Sequence, residues 1–167
     1  MKSVSKKIAL LGVLTAVSMV LSYVEMLLPP IWSAVPGIKV GLPNIVILLL
    51  LYKFSFKEAA AVSLVRISLV SLLFGNAMIF LYSLGGAVLS LTVMWLLKKA
   101  DFLSLTGVSV SGAISHNLGQ IIVAIILLRT KEIGYYMIVL TFTGTVAGIF
   151  IGIIGAIVLR YFKKFRL

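Results

Sequence analysis

Long apolar runs separated by short basic clusters constrain the fold of this chain more than any other feature. The runs fall at about 8–28, 41–52, 57–74, 77–97, 106–128 and 135–161. A straight helix needs roughly 20 apolar residues to cross a bilayer, and the first, fourth, fifth and sixth runs are that long. The second run is short and the third contains Arg66, so both need other helices around them rather than lipid. The pattern predicts an all-α membrane protein, a six-transmembrane-helix bundle forming a single domain over residues 1–167.

The composition agrees with a lipid environment. Hydrophobic residues make up 62% of the chain and charged residues only 11%, whereas a soluble domain carries about 25% charged residues. The first apolar run is longer than that of a typical signal peptide, so we interpret it as a retained helix. The chain has no cysteine, which excludes disulfides, thiolate metal sites and thiol catalysis.

The distribution of lysine and arginine predicts the orientation. If the N-terminus is cytoplasmic, the outer loops hold three basic residues, Lys39, Arg129 and Lys131. The inner segments hold eleven: Lys2, Lys6, Lys7, Lys53, Lys57, Lys98, Lys99, Arg160, Lys163, Lys164 and Arg166. Cytoplasmic loops are enriched in such residues, so we predict a multi-pass protein of the cell membrane with both termini cytoplasmic. This orientation explains the net charge of +11 without a nucleic-acid partner.

A few polar residues interrupt the apolar runs, and each is informative. An arginine at the centre of a span costs roughly 2.5–3.5 kcal/mol on insertion scales, so such residues face the bundle interior or a cavity. Arg66 lies nine residues after Lys57, and Asn44 lies nine residues before Lys53. At 1.5 Å per residue, both lie near the midplane. The polar residues that we expect in the middle and outer half of the bundle are Glu25, Lys39, Asn44, Arg66, Asn76, His116, Asn117 and Gln120.

Two interpretations of this polar set remain open. The residues could bond only to one another and hold the helices together. Alternatively, they could line a ligand cavity open to the outside. Arg66 and Lys39 against Glu25 leave one positive charge, which suits an anionic or electron-rich ligand. We favour the cavity, because so many polar groups at one depth exceed what helix packing requires.

The chain lacks the residue groups of several enzyme classes. Its four acidic residues, Glu25, Glu58, Asp101 and Glu132, are too dispersed for a Mg²⁺-dependent diphosphate site. It has no phosphate-binding GxxxxGK[ST] motif, no arrangement typical of a catalytic triad, and only one histidine, without cysteine, for a metal. We therefore predict a protein that is not an enzyme and holds no metal.

Two stripes of small residues predict close helix contacts. Gly144, Gly148 and Gly152 repeat at a spacing of four, which lets a neighbouring backbone approach. We favour internal packing of the last helix as their role. Ala9, Gly12 and Ala16 form a similar face on the first helix, for packing or for docking a partner.

Four stretches carry a resemblance to a known family. They are VLSYVEMLLPP (20–30), VPGIKVGLPNIVILLLLY (35–52), FKEAAAVSLVRISLVSLLFG (56–75) and GVSVSGAISHNLGQ (107–120). With them the chain resembles the Gx transporter family, also labelled heptaprenyl diphosphate synthase component I. Members are similar to the substrate-binding S components of energy-coupling-factor (ECF) transporters. The resemblance implies six helices holding a vitamin-like ligand near the outer face. It also implies a transmembrane coupling protein with two ATPases as partners, with Ala9, Gly12 and Ala16 offered to the coupling protein.

The resemblance implies two alternatives as well. Family genes lie beside those of flavin proteins in loci for extracellular electron transfer, which implies a membrane partner passing electrons from quinone to an extracytoplasmic flavoprotein. That role would require a non-covalent flavin or quinone as cofactor. The synthase label implies a non-catalytic membrane subunit of a prenyl diphosphate synthase. Our leading hypothesis is an S-component-like protein that binds, and helps to transport, a small anionic or aromatic ligand from the outer face.

Overall fold

Six α-helices account for most of the chain in the computed structural model, which describes residues 2–27 and 41–164, with side chains over 4–27 and 41–161. The outer loop between the first two predicted spans, which contains Lys39, lies outside the described residues. The predicted all-α fold is confirmed in this part of the chain. The helices are α1 (Lys2–Leu27), α2 (Asn44–Lys53), α3 (Phe56–Phe74), α4 (Ala77–Ala100), α5 (Leu105–Leu128) and α6 (Met137–Lys164), with a 3₁₀ helix (Lys131–Tyr136) before α6.

Short polar segments between the apolar runs set the helix boundaries. The side chains of Ser55, Asn76 and Ser104 each accept a backbone N–H two or three residues further on, and so cap the N-termini of α3, α4 and α5. These residue types satisfy N–H groups that a helix start leaves without a partner. Asp101 and Arg129 adopt left-handed backbone angles after α4 and α5, which ends both helices.

Four segments of the described chain are long and apolar enough to cross a membrane, namely Val4–Leu27, Ala77–Ala100, Leu105–Leu128 and Lys131–Tyr161. The protein is therefore a helical membrane protein. The other two helices differ from a simple span. The predicted run 41–52 forms only a ten-residue helix, α2, and α3 carries charged residues along its length.

Polar contacts align four helix ends at what we call the base of the bundle, defined by Lys7, Leu51, Glu58 and Lys98. Lys7 Nζ lies 2.5 Å from Glu58 Oε1, which joins the start of α1 to the start of α3. Lys98 Nζ donates to the carbonyl oxygen of Leu51 at 2.6 Å, which joins the end of α4 to the end of α2. Thus α1 and α3 run away from the base, whereas α2 and α4 run towards it.

The opposite end of α1 also lies beside the opposite end of α3. The rings of Tyr23 and Phe74 have centroids 5.0 Å apart. Because the two helices are paired at both ends, they run side by side and parallel over their whole length.

The glycine stripe of α6 lies directly against α5. A Cβ on Gly148 would come within 2.6 Å of Val110 Cα, and one on Gly152 within 2.7 Å of Thr106 Cα. A Cβ on Gly144 would lie 2.8 Å from Asn117 Nδ2. Only glycine allows the two backbones to approach this closely, so the stripe fixes the α5–α6 interface.

Helix α2 is enclosed by the rest of the bundle. Residues 46–51 are all buried, and all of them except Leu49 form one core with apolar side chains of α3, α4, α5 and α6. Ten residues at 1.5 Å each give a helix of about 15 Å, against about 39 Å for the 26 residues of α1. Since α2 ends at the base, it begins near the middle of the bundle.

Candidate functional site

The chain enters α2 through a buried turn, residues 41–43, at the middle of the bundle. Gly41 has a φ of +91°, in the left-handed region that favours glycine. A Cβ at this position would also lie 2.7 Å from Asn44 Nδ2. Non-helical backbone at membrane depth is tolerated only where protein or an aqueous cavity surrounds it. The turn therefore requires partners for its peptide groups.

Glu25 supplies those partners from α1. Its Oε1 accepts hydrogen bonds from the backbone N–H of Gly41 and from that of Leu42, the latter at 3.3 Å. The carboxylate is buried and lies at the positive end of the α2 dipole, where negative charge is stabilised. Glu25 thus holds the turn and the start of α2 in place.

Glu25 continues a polar stripe on the buried face of α1. Ser18 and Ser22 precede it at helical spacing, and all three side chains are buried. Arg66 of α3 donates from Nη1 to the hydroxyl of Ser22 at 3.3 Å. The stripe therefore links the turn before α2 to the cation of α3.

Arg66 is the central feature of this region. The side chain is only 7% exposed, and Glu25 attracts it electrostatically. Its Nε and Nη2 atoms have no hydrogen-bond partner in the part of the chain that the structure describes. A buried charge with unused donors is unfavourable, so Arg66 has capacity for a further partner.

His116 connects α5 to the same turn. A Cβ on Gly41 would lie 3.7 Å from His116 Cδ2. On the other side of the ring, a Cβ on Gly86 of α4 would lie 2.9 Å from Cε1. Glycine at position 86 therefore lets the imidazole pack against α4, whereas the 3.7 Å separation at Gly41 is an ordinary van der Waals distance. The amide Nδ2 of Asn44, beside the turn, has no hydrogen-bond partner among the described residues.

Asn117 and Gln120 extend the polar face of α5. Asn117 Nδ2 donates to the carbonyl oxygen of Leu140 at 2.8 Å, which joins α5 to α6. Gln120 is completely buried, and neither its amide nitrogen nor its amide oxygen has a partner in the described ranges.

The structure thus brings four of the predicted site residues into one set, which we call the polar cluster: Glu25, Asn44, Arg66 and His116, linked through Ser22 and Gly41. Sequence reasoning missed Ser18 and Ser22 of α1. Ser22 and Glu25 follow Ser18 by four and seven residues, a helical spacing that would have revealed the stripe.

Asn76, another predicted site residue, lies elsewhere. Asn76 is exposed and accepts the Ile79 N–H at 2.9 Å, capping α4 at the turn between α3 and α4. Lys39 lies outside the described residues.

The polar cluster offers hydrogen-bonding groups and one charged group of each sign. Within the described residues, 2–27 and 41–164, no group of three histidine or acidic side chains could hold a metal ion. A separate groove of about 480 Å³ lies between α2 and α6. Apolar side chains, including Leu42, Phe142 and Phe150, line most of it, so it adds no polar group to the cluster.

The family comparison gives a match that includes the whole region of the polar cluster. The sequence matches the family described as heptaprenyl diphosphate synthase component I over residues 14–158. The chain belongs to this family. The predicted family is therefore confirmed, and the matched range contains all residues of the polar cluster. Comparisons with curated proteins and with solved structures gave no match.

Proposed function

We propose that this family member is an S-component-like membrane protein that binds a small molecule in the polar cluster and helps to carry it across the membrane. The ligand enters from the outer face, and no covalent chemistry takes place on it. The site lies where a half-length helix, α2, begins inside the bundle. Membrane transporters place their substrate sites near the midplane, where interrupted helices begin or end.

One observation carries the proposal: polar atoms that are buried but have no partner. In the polar cluster, among the described residues, they are Nε and Nη2 of Arg66 and Nδ2 of Asn44. Native proteins pair nearly all such atoms, and each one left without a partner costs about 1–3 kcal/mol. A ligand that bonds to these atoms removes that cost, whereas a purely structural network would bond them to one another.

The alignment of helix ends supports six spans with both termini cytoplasmic. The base of the bundle collects the start of α1, the end of α2, the start of α3 and the end of α4. These ends carry Lys7, Lys53, Lys57, Lys98 and Lys99. The positive-inside rule assigns such a basic side to the cytoplasm. The N-terminus of α2 then points to the outside.

Mass spectrometry tests ligand binding directly. The protein is extracted mildly into lipid nanodiscs, its native mass is measured, and released molecules are identified together with their absorbance spectra. We expect one small molecule per protein, lost in Arg66→Gln and retained in the control Arg160→Gln, which changes an exposed arginine. Circular dichroism confirms that both variants are folded.

The identity of the released molecule separates the alternatives. A colourless metabolite supports binding for transport. A flavin or a quinone in near-stoichiometric yield would instead favour a membrane partner in electron transfer. An empty wild-type protein that also captures nothing from a metabolite extract would contradict the proposal and favour a subunit role, as the family description names a synthase component.

We propose that the side of α1 facing away from the rest of the bundle is the docking surface for a membrane coupling protein. Ala9, Gly12 and Ala16 are exposed, and a Cβ on Gly12 would contact nothing within 4 Å. Small residues in this arrangement allow another helix to approach closely. We expect Gly12→Leu to abolish co-purification with the coupling protein but leave ligand retention intact. Equal co-purification of the variant would contradict this docking surface.

A further inference from the structure

The bonding pattern of Arg66 specifies one chemical group of the ligand. Nη1 donates to the hydroxyl of Ser22 at 3.3 Å. Nε and Nη2 are both buried and have no partner among the described residues. The two unused nitrogen atoms are adjacent, so the unused donors of Arg66 form one continuous edge.

That edge has a defined shape. A guanidinium group is planar, and the N–H bonds of Nε and Nη2 project side by side from the same edge. Two parallel N–H donors match two oxygen atoms of a carboxylate or a phosphate. A hydroxyl or an amide carbonyl offers only one oxygen to this edge and would leave the second donor without a partner.

Glu25 does not fill the edge. Its Oε1 accepts the backbone N–H groups of Gly41 and Leu42. It attracts Arg66 electrostatically without bonding to Nε or Nη2. The structure thus contains an anion that fixes the turn and a cation that keeps its best recognition edge unused.

We infer that the ligand carries an oxyanion group, a carboxylate or a phosphate, and that Arg66 binds it side-on through Nε and Nη2. The inference rests on the proposed ligand-binding function and deepens it. Arg66 is then the residue that determines specificity for anionic over neutral molecules. Lysine cannot replace it, because an ammonium group has no planar pair of donors.

Nuclear magnetic resonance of the arginine side chains tests this inference. The chain has four arginines, Arg66, Arg129, Arg160 and Arg166. In protein labelled with ¹⁵N-arginine, the Nε–H signal of Arg66 is the one that disappears in Arg66→Lys. Washed protein in nanodiscs is titrated with sodium phosphate, sodium acetate or sodium chloride at equal ionic strength, to about 100 mM, because a fragment with millimolar Kd needs such concentrations.

We expect the Arg66 signal to move downfield and to saturate with an oxyanion, while chloride leaves it unchanged. The signal of exposed Arg160 should stay in place throughout. A response to phosphate alone assigns a phosphate group to the ligand, and a response to acetate alone assigns a carboxylate. If Arg66→Lys does not fold, the variants Arg129→Lys, Arg160→Lys and Arg166→Lys assign the other three signals and leave that of Arg66 by elimination.

The inference is overturned if neither oxyanion moves the Arg66 signal, or if chloride moves it equally. It is also overturned if folded Arg66→Lys retains the ligand found by mass spectrometry with less than about a tenfold loss of affinity. These results differ from those that would refute the proposed function. Wild-type protein that retains a neutral molecule refutes only the inference that the ligand carries an oxyanion group. Protein that binds no small molecule refutes ligand binding itself.

Discussion

Removal of the Glu25 carboxylate should destabilise the bundle through the start of α2. In Glu25→Ala, the backbone N–H groups of Gly41 and Leu42 lose their acceptor inside the protein. Each donor left without a partner costs about 1–3 kcal/mol, so we expect a loss of about 2–6 kcal/mol in the free energy of unfolding. Arg66 also loses the negative charge that attracts it, which acts in the same direction.

Glu25→Gln separates charge from shape. The amide keeps one oxygen that can accept the same N–H groups. It lacks the negative charge that strengthens those bonds and complements the α2 dipole. We therefore expect a smaller loss of about 1–2 kcal/mol, so that the order of stability is wild type, Glu25→Gln, Glu25→Ala.

Reversible unfolding in mixed micelles, followed by circular dichroism, measures these differences. Glu132→Ala is the matched control, because Glu132 is an exposed acid before α6 and its loss should change stability by less than about 0.5 kcal/mol. Hydrogen exchange at the Leu42 amide should accelerate in both Glu25 variants. If Glu25→Ala is as stable as Glu132→Ala and its Leu42 amide remains protected, Glu25 does not hold the turn.

Two further predictions use the same unfolding assay, and each compares a substitution with a control of the same type at another position. Gly148→Ala should lose about 1–3 kcal/mol through overpacking, because its Cβ would lie 2.6 Å from the α5 backbone. Gly12→Ala should be neutral or stabilising, since open space surrounds that position and alanine favours helix. A Gly12→Ala protein less stable than Gly148→Ala would contradict the close packing of α6 against α5. Lys98→Met should lose about 1–2 kcal/mol, because Lys98 bonds to the Leu51 carbonyl at the negative end of α2. Lys99→Met should lose less than about 0.5 kcal/mol, and equal losses would show that the Leu51 contact contributes nothing.

The helices could be predicted from the sequence because lipid imposes a simple rule on composition and length. The apolar runs at 77–97 and 106–128 became α4 and α5 almost unchanged. The second run was predicted from residue 41, but its helix begins only at Asn44. Pro43 and the left-handed Gly41 explain that boundary. Six α-helices are present among the described residues, while six full spans remain a prediction.

The depth of the polar residues could be predicted better than their partners. Counting along a helix gives depth; Asn44 and His116 lie beside Gly41, whereas Arg66 is joined to the cluster through Ser22 of α1. The role of Glu25 could not be inferred, because its partners are peptide N–H groups whose position depends on the tertiary fold. Asn76 begins its helix at an exposed turn, where local capping chemistry rather than depth decides what its side chain binds.

An experimental structure of the protein in nanodiscs, prepared without removing what it carries, tests the ligand site most directly. We predict non-protein density within hydrogen-bonding distance of Nε and Nη2 of Arg66, with Glu25 still bonded to the Gly41–Leu42 backbone. The contradicting result is an Arg66 edge filled by a protein group, such as the Glu25 carboxylate, with no additional density nearby. In that case the polar cluster is a closed network that only holds the helices together.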